Sequence, residues 1–340
     1  MSESIVLARP GPAGLLLRPF AGSSDIGEFV RIFNAAAEAD EIDERVSEAG
    51  LANWFGHPTA SFDASSDLVV AEVRGELVAY GFTAWIDTTD GLREHRSRGH
   101  VHPAWRRRGI GSAVLAHNVA HARQVAAEQG GGWKRVLGAW AADRQPGAIA
   151  LLEGNGFEPV RWFFTMVRPT LDGIEVPPMP DGIVVRPAVA DRAGYRRVFD
   201  ADTEAFRDHW GGFDASDEAF EEWFGGGDPN FDPSLWVIAW DGDEIAGGVI
   251  NSIDANENAL LDRQRGLLDS VFVRRPWRRR GLAAALVARS LEVLRQRGMT
   301  SAWLGVDADN PNGALGVYQR AGFAVDLRST AYRKSLVADR

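Results

Sequence analysis

The chain has 340 residues, enough for about two domains of ordinary size, and its 25% charged and 45% hydrophobic content is that of a folded globular chain. A formal net charge of −10 argues against wholesale binding of DNA or RNA, so any anion site must be local, and the absence of cysteine removes disulfides, thiolate–metal sites and thiol catalysis together. The histidines lack HExxH-type spacing, no apolar run approaches a membrane span and the first residues form no charged-then-apolar leader, so the expectation is a cytoplasmic protein without a metal.

Taken in order, the first strand is "GLLLRPFAGSSD" (14–25), an apolar run entering a polar turn, followed by a helical segment. "LVVAEVRGELVAYGF" (68–82) reads as a hairpin, two apolar strands about Gly75. "RSRGHVH" (96–102), a more polar candidate strand, enters the basic turn "HPAWRRRGIG" (102–111), and the helical pattern "SAVLAHNVAHARQVAAEQG" (112–130) follows. A strand and a helix closed by Gly156-Phe157 come next, then a last strand, "WFFTMVRP" (162–169). The proline-rich "PTLDGIEVPPMPDG" (169–182) reads as an extended linker and domain boundary.

The same order recurs about 168 residues further on. "GIVVRPAVADRA" (182–193), "LWVIAWDGDEIAGGV" (235–249), "LLDSVFV" (267–273), "RRPWRRRGLAAAL" (274–286), "SAWLGVDADNPNGALGVYQRAGF" (301–323) and "TAYRKSL" (330–336) match the elements of the first half one by one. Strand, helical segment, hairpin, strand, helix, strand, helix, strand predicts an α/β (α+β) mixed sheet with helices packed on it. The domains expected are 1–168 and 182–340, joined by a linker at 169–181. A single large α/β barrel would need more strand–helix alternations than the sequence contains.

A glycine-containing turn between strand and helix leaves backbone N–H groups unpaired at the positive end of the helix dipole, which favours a phosphate. The second copy offers Arg278, Arg279, Arg280, Gly281, Leu282 and Ala283; the first offers Arg106, Arg107, Arg108, Gly109, Ile110 and Gly111. One such turn could be a solvated arginine cluster. Two, each after a strand and before a helix, argue for a built anion site.

These elements resemble the GNAT superfamily of acyl-CoA-dependent N-acetyltransferases, in tandem. The resemblance rests on "VRRPWRRRGLA" (273–283), "VHPAWRRRGIG" (101–111) and "VDADNPNGALGVYQRAGF" (306–323), and covers nearly the whole chain. It implies that a turn of this kind holds the pyrophosphate of coenzyme A, with acetyl-CoA as co-substrate. The tandem order and the ending "TAYRKSL" are also similar to mycothiol synthase-type enzymes, whose acceptor is the amine of a cysteinyl sugar conjugate. Acetyltransferases of antibiotics, amino sugars and amino acids share that architecture, so the acceptor stays open.

Acetyl transfer to an amine needs a base, a stabilised thioester oxygen and a proton for the departing thiolate; without cysteine, direct attack in a ternary complex is the simpler route. Tyr318 is the candidate acid, and the resemblance implies the same role; Asn310, Ala314 and Tyr318, spaced by four, are expected on one helix face. Aligning the Gly-Phe pairs puts Leu152 opposite Tyr318, and leucine cannot donate a proton. The first copy is therefore expected to be non-catalytic, with CoA binding through Arg106, Arg108, Gly109 and Gly111 or a purely structural role both open.

Candidate bases are Asp269, expected to share the strand face of Val271 and Val273, and Glu204 and His209, with Asp208 and Trp210, in "DTEAFRDHWGGF" (202–213). Glu204 and Asp208 also fit a solvated helix face. The backbone of Val271, Phe272 and Val273 is the expected oxyanion and CoA contact. Asn310 is a candidate pantetheine contact, although Asp307, Asp309 and Asn310 could instead cap the following helix. The expectation is an N-acetyltransferase of small-molecule primary amines, monomeric or homodimeric, with no nucleic-acid or membrane partner. The alternative is a non-catalytic acyl-CoA-binding regulatory or scaffold protein.

Overall fold

The computed structural model describes residues 11–207, 209–211, 215–225, 229–310 and 313–336. The chain forms two compact units, residues 1–161 with 329–340, and residues 162–328. In chain order the first unit carries β1 (Leu15–Pro19), α1 (Ser23–Ala39), α2 (Glu48–Phe55), α3 (Ala64–Asp67), β2 (Leu68–Val73), β3 (Glu76–Asp87), β4 (Leu92–Val101), α4 (Ile110–Glu128), β5 (Lys134–Ala142) and α5 (Pro146–Gly154). The chain enters the second unit within β6 (Glu158–Arg168). There it forms β7 (Ile183–Val185), α6 (Arg192–Phe206), α7 (Asp217–Gly225), β8 (Val237–Asp241), β9 (Glu244–Ser252), α8 (Ala255–Leu260), β10 (Arg265–Val273), α9 (Leu282–Gln296), β11 (Ser301–Asp307) and α10 (Ala314–Arg320). It returns to the first unit within β12 (Ala324–Ser335).

Both sheets are mixed, as the repeat predicts. In the first unit β1 to β4 are antiparallel neighbours, β4 runs parallel to β5, and β5 pairs antiparallel with Ser329–Ser335 of β12. In the second unit β7 to β10 are antiparallel neighbours, β10 runs parallel to β11, and β11 pairs antiparallel with Phe163–Arg168 of β6. The compact units therefore do not follow the sequence copies 1–168 and 182–340, because the last strand of each copy completes the sheet of the other. Sequence periodicity identifies such a strand but not its partner, since the edges of β5 and β11 are equivalent acceptors.

The proline-rich segment at 169–182 is packed chain and not a free spacer. Leu171 is 2% exposed, Ile174 and Met179 join the same apolar cluster, the Leu171 N–H donates to Thr300 O, and Arg289 Nη1 donates to Pro177 O. The segment runs from the end of β6, which pairs with β11, to β7, which pairs with β8.

Apolar residues at helical spacing explain why α9 and α6 cover opposite faces of the second sheet. Leu282, Leu286, Leu291 and Leu294 of α9 pack with Leu268 and Leu304 on one face; Val198, Ala201 and Ala205 of α6 pack with Ile238 and Phe272 on the other. In the first unit Phe29 and Ile32 of α1 cluster with Tyr80, and Ile110 and Val114 of α4 cluster with Val69 and Ala71. Among the described residues no helix is long and apolar enough to cross a membrane.

The exchange predicts that removing residues 324–340 unfolds the first unit. Tyr332 and Leu336 would leave its apolar cluster, and Arg333 would leave Glu94, a carboxylate 1% exposed that it holds at 2.6 Å. Burial of two large side chains contributes about 3–6 kcal/mol and the ion pair adds to it, against a typical stability of about 5–15 kcal/mol. Amide exchange of β5 reports the outcome: rapid exchange is expected, and retained protection would contradict the assignment.

Candidate active site

The site grows from a parting of two strands in the second unit. β10 and β11 pair only through Arg265, Gly266 and Leu267, opposite Ser301, Ala302 and Trp303. Beyond them β10 stays on β9 as far as Val273, while β11 stays on β6 as far as Asp307. The Arg274 N–H donates to Ala246 O on the β9 side. Alternation then turns the N–H groups of Val271 and Val273 toward the opening, where they can receive a developing oxyanion. The first unit opens in the same way, with β4 and β5 paired only as far as Arg96 and Gly138.

Both basic turns take one backbone path. Arg279 and Gly281 have φ of +62° and +82°, and Arg107 and Gly109 have +63° and +84°, each pair flanking a residue with negative φ. Left-handed and right-handed residues in alternation converge successive N–H groups into a concave anion nest, here at the N-terminus of α9 or α4. At Gly281 an added Cβ would meet nothing within 4 Å, so glycine is required by its φ and not by crowding. At Gly111 a Cβ would be in ordinary contact with Leu151 and Val101, consistent with Ala283 at the matching position.

The arginines divide into two kinds. Arg278 donates from Nε to Val273 O and from Nη2 to Ala205 O, tying the end of β10 to the end of α6. Arg106 pairs with Asp40 and donates to Val101 O. These two side chains brace the turn, so the cradle expected of Arg278 and Arg106 is made by backbone. Arg279 and Arg280 are exposed beside it, Arg280 donating to Asp181 O at 3.5 Å, and Arg108 lies 4.8 Å over the ring of Trp105. Leu282 is buried beneath the turn and Ala283 half-buried.

Tyr318 stands on α10, 6% exposed, in the apolar cluster that holds Leu282, Leu304 and Val306 and against which Val271 and Val273 pack. Its hydroxyl donates to no described residue, although buried tyrosines usually find a partner. Burial pushes the phenol well above its ordinary value, so it carries its proton at neutral pH. The Phe323 N–H donates to Tyr318 O as the Phe157 N–H donates to Leu152 O, so the two helices close alike and Leu152 occupies the equivalent place. Asn310 departs from expectation: α10 begins at Ala314, with Gly313 as its N-cap, so Asn310 lies in the preceding turn and not on the helix face. Asp307 accepts from the Asp309 N–H, and the N-cap of α10, Gly313, offers no side chain to cap it.

The acidic groups fall differently from the sequence pattern. A bulge between Leu268 and Ser270 breaks the alternation of β10. Leu268, Val271 and Val273 face the α9 cluster, so Asp269 does not simply share the face of Val271 and Val273. It is exposed, and its charge acts on Asp202 of α6. Glu204 is bound to Arg274, with Nε and Nη2 both 2.8 Å from Oε2, and so fixes α6 to the end of β10. His209 packs on Phe206 at 4.3 Å and Trp210 on Phe163 of β6 at 5.9 Å, while Asp208 lies outside the described residues.

Asp202 is the residue that the sequence pattern did not single out. It is 6% exposed, and Ser270 Oγ donates to its Oδ1 at 2.6 Å. Burial first, and the charge of Asp269 in addition, push its carboxyl up to about 7. The available signal was an acid on the apolar face of α6, beside Val198, Ala201 and Ala205. Between about pH 4, where an unfolded aspartate titrates, and about pH 7, the folded chain holds one proton more than the unfolded chain. This group therefore lowers stability as pH rises through that window, by up to about 4 kcal/mol. Asp202→Asn is expected to gain stability relative to wild type by a few kcal/mol between pH 5 and pH 8, read by denaturant unfolding; an equal difference at both values would contradict the burial argument.

The comparisons agree with this geometry. The sequence model of the "Acetyltransferase (GNAT) family" matches residues 195–323, and that of the "Acetyltransferase (GNAT) domain" matches residues 64–159. A mycothiol acetyltransferase from Streptomyces bingchenggensis is 32% identical over 273 residues, covering 78% of this chain and 80% of its own. The chain belongs to the GNAT acetyltransferase family. A mycothiol acetyltransferase from Geodermatophilus obscurus is 26% identical over 91% of this chain and 94% of its own. A GCN5-related N-acetyltransferase from Sphaerobacter thermophilus superposes with a TM-score of 0.75 at 26% identity, covering 97% of this chain and 98% of that one. The tandem GNAT protein from the clavulanic acid biosynthesis pathway shares the fold, with a TM-score of 0.69 at 19% identity over 96% of this chain and 100% of that one. This GNAT chain is thus an acyltransferase with two family domains in tandem. Among its described residues no group of three His, Cys, Asp or Glu could hold a metal ion.

Proposed function

We propose that this GNAT enzyme transfers the acetyl group of acetyl-CoA to the primary amine of a small molecule, by direct attack with both substrates bound to the second unit. The observation that carries the reading is the presence, in one unit, of the nest at Arg279–Gly281 and of Tyr318, whose hydroxyl bonds to no described residue. The first unit has the same nest with Leu152 in place of the tyrosine, which favours a non-catalytic role there.

In this reading the nest holds the CoA pyrophosphate and the N–H groups of Val271 and Val273 stabilise the oxygen of the thioester carbonyl. The amine binds as an ammonium and loses a proton to Asp269. The nitrogen then attacks the carbonyl carbon, the C–N bond forms and the C–S bond breaks. Tyr318 gives the leaving sulfur its proton and is reprotonated by the second proton that the nitrogen sheds as the amide forms, and Asp269 returns the first proton to solvent. The name shared by the relatives supports one acceptor above others, the amine of a mycothiol precursor. Release of CoA in step with an N-acetylated product across a panel of amines, cysteinyl aminosugars included, tests the proposal. Binding of acetyl-CoA with no product would favour the scaffold alternative.

A further inference from the structure

The mechanism above leaves one buried acid unused. Among the described residues Asp202 has a single hydrogen bond, from Ser270 Oγ, and no cation beside it. The acids and bases around it are few. On its own helix Glu204 is committed to Arg274, and from β10 the one charge acting on it is Asp269. Ser270 belongs to the bulge that displaces Asp269 and directly precedes Val271 and Val273, whose N–H groups face the opening. One hydrogen bond therefore connects the buried face of α6 to the two features of β10 on which the reaction depends.

We propose that Asp202 is a positioning residue for acetyl transfer, which fixes the β10 bulge through Ser270 and sets the basicity of Asp269 through its charge. The proposal rests on the reading of the second unit as the transferase. Its first effect is geometric: the Ser270 bond holds the extra residue of the bulge in one register, so Asp269 keeps its direction while Val271 and Val273 keep theirs. Its second effect is electrostatic. When Asp202 is ionised, its charge and that of Asp269 repel, and each raises the proton affinity of the other. Asp269 then accepts the ammonium proton more readily, passing from carboxylate to carboxylic acid while the amine is freed to attack. Asp202 exchanges no atom with either substrate.

The test uses the full chain and two independent readouts. The first is a side-chain carboxyl carbon titration by NMR on wild type, Asp202→Asn and Asp269→Asn without substrate. A carboxyl titrating near neutrality in wild type is expected to vanish in Asp202→Asn and to titrate lower in Asp269→Asn; an unchanged midpoint in Asp269→Asn would overturn the coupling. The second is the pH profile of kcat/KM for acetyl transfer. On the acid side of neutrality Asp202 is already protonated and adds no charge, so the acidic limb should stay in place in Asp202→Asn, while the further rise in kcat/KM as Asp202 ionises near pH 7 should be lost. Ser270→Ala should lower kcat several-fold with the KM for acetyl-CoA nearly unchanged. A rise near pH 7 retained in Asp202→Asn, together with wild-type kcat in Ser270→Ala, would overturn the role. A chain that transferred no acetyl group would contradict the functional reading, and the carboxyl titration would still decide the coupling.

Discussion

Tyr318→Phe is expected to leave acetyl-CoA binding within twofold of wild type and to lower kcat by about a hundredfold or more, the usual contribution of a positioned general acid. The phenol lies in an apolar cluster with no hydrogen bond to a described residue, so removing its oxygen leaves no described partner unsatisfied and the fold should hold. Because burial keeps the phenol protonated well past neutral pH, its loss should be felt as lower turnover across the whole neutral range and not as a shifted limb. In the proposed reaction thiolate release is the step affected. A thioester with a better leaving group should therefore lose less activity in the variant than acetyl-CoA does. Equal losses with both thioesters would remove Tyr318 from the protonation step.

Gly281→Val is expected to weaken acetyl-CoA binding by about ten- to a hundredfold. The residue has φ of +82° at the N-cap of α9, a region that a β-branched side chain enters only at a cost of roughly 1–3 kcal/mol. Relaxing that strain rotates the turn and disperses the converging N–H groups, and hydrogen bonds to a charged group contribute about 1.5–3 kcal/mol. Gly109→Val imposes the same strain on the first unit, where φ is +84°. Since Leu152 stands there in place of the acid, turnover should change little in that variant. Calorimetric titration and initial rates on both variants separate the two turns. Equal loss of turnover in each would contradict the division of labour between the units.

Much of the fold was legible because each element announces itself locally. Apolar spacing marks α9, alternating strands about Gly75 mark a hairpin, and the paired turns mark both helix starts. The partner of a strand is not local information. Nothing in "WFFTMVRP" or "TAYRKSL" says which sheet it enters, so the exchange of β6 and β12 emerged only from the structure. The packed path of 169–182 has the same origin, since proline richness describes the chain conformation and not what the chain lies against. At the candidate site, the motif singled out Tyr318, and the structure places it in the cluster against which Val271 and Val273 pack. The commitments of Glu204, Arg278 and Arg106 were not, because their partners lie 66 to 73 residues away. The face of Asp269 was misjudged because alternation assumes a regular strand, and one extra residue at the bulge cancels it. Asp202 was hidden by the same rule that finds helices, which treats an acid on an apolar face as an interruption.

The most direct test of the account is simultaneous quantification of free CoA and N-acetylated product when the full chain meets acetyl-CoA and a panel of amines that includes a cysteinyl aminosugar. The account predicts equimolar CoA and product with at least one amine, a rate lowered about a hundredfold in Tyr318→Phe, and full retention in Gly109→Val. Tight acetyl-CoA binding with no acetylated amine from any member of the panel would contradict it, as would product formed at the wild-type rate by Tyr318→Phe.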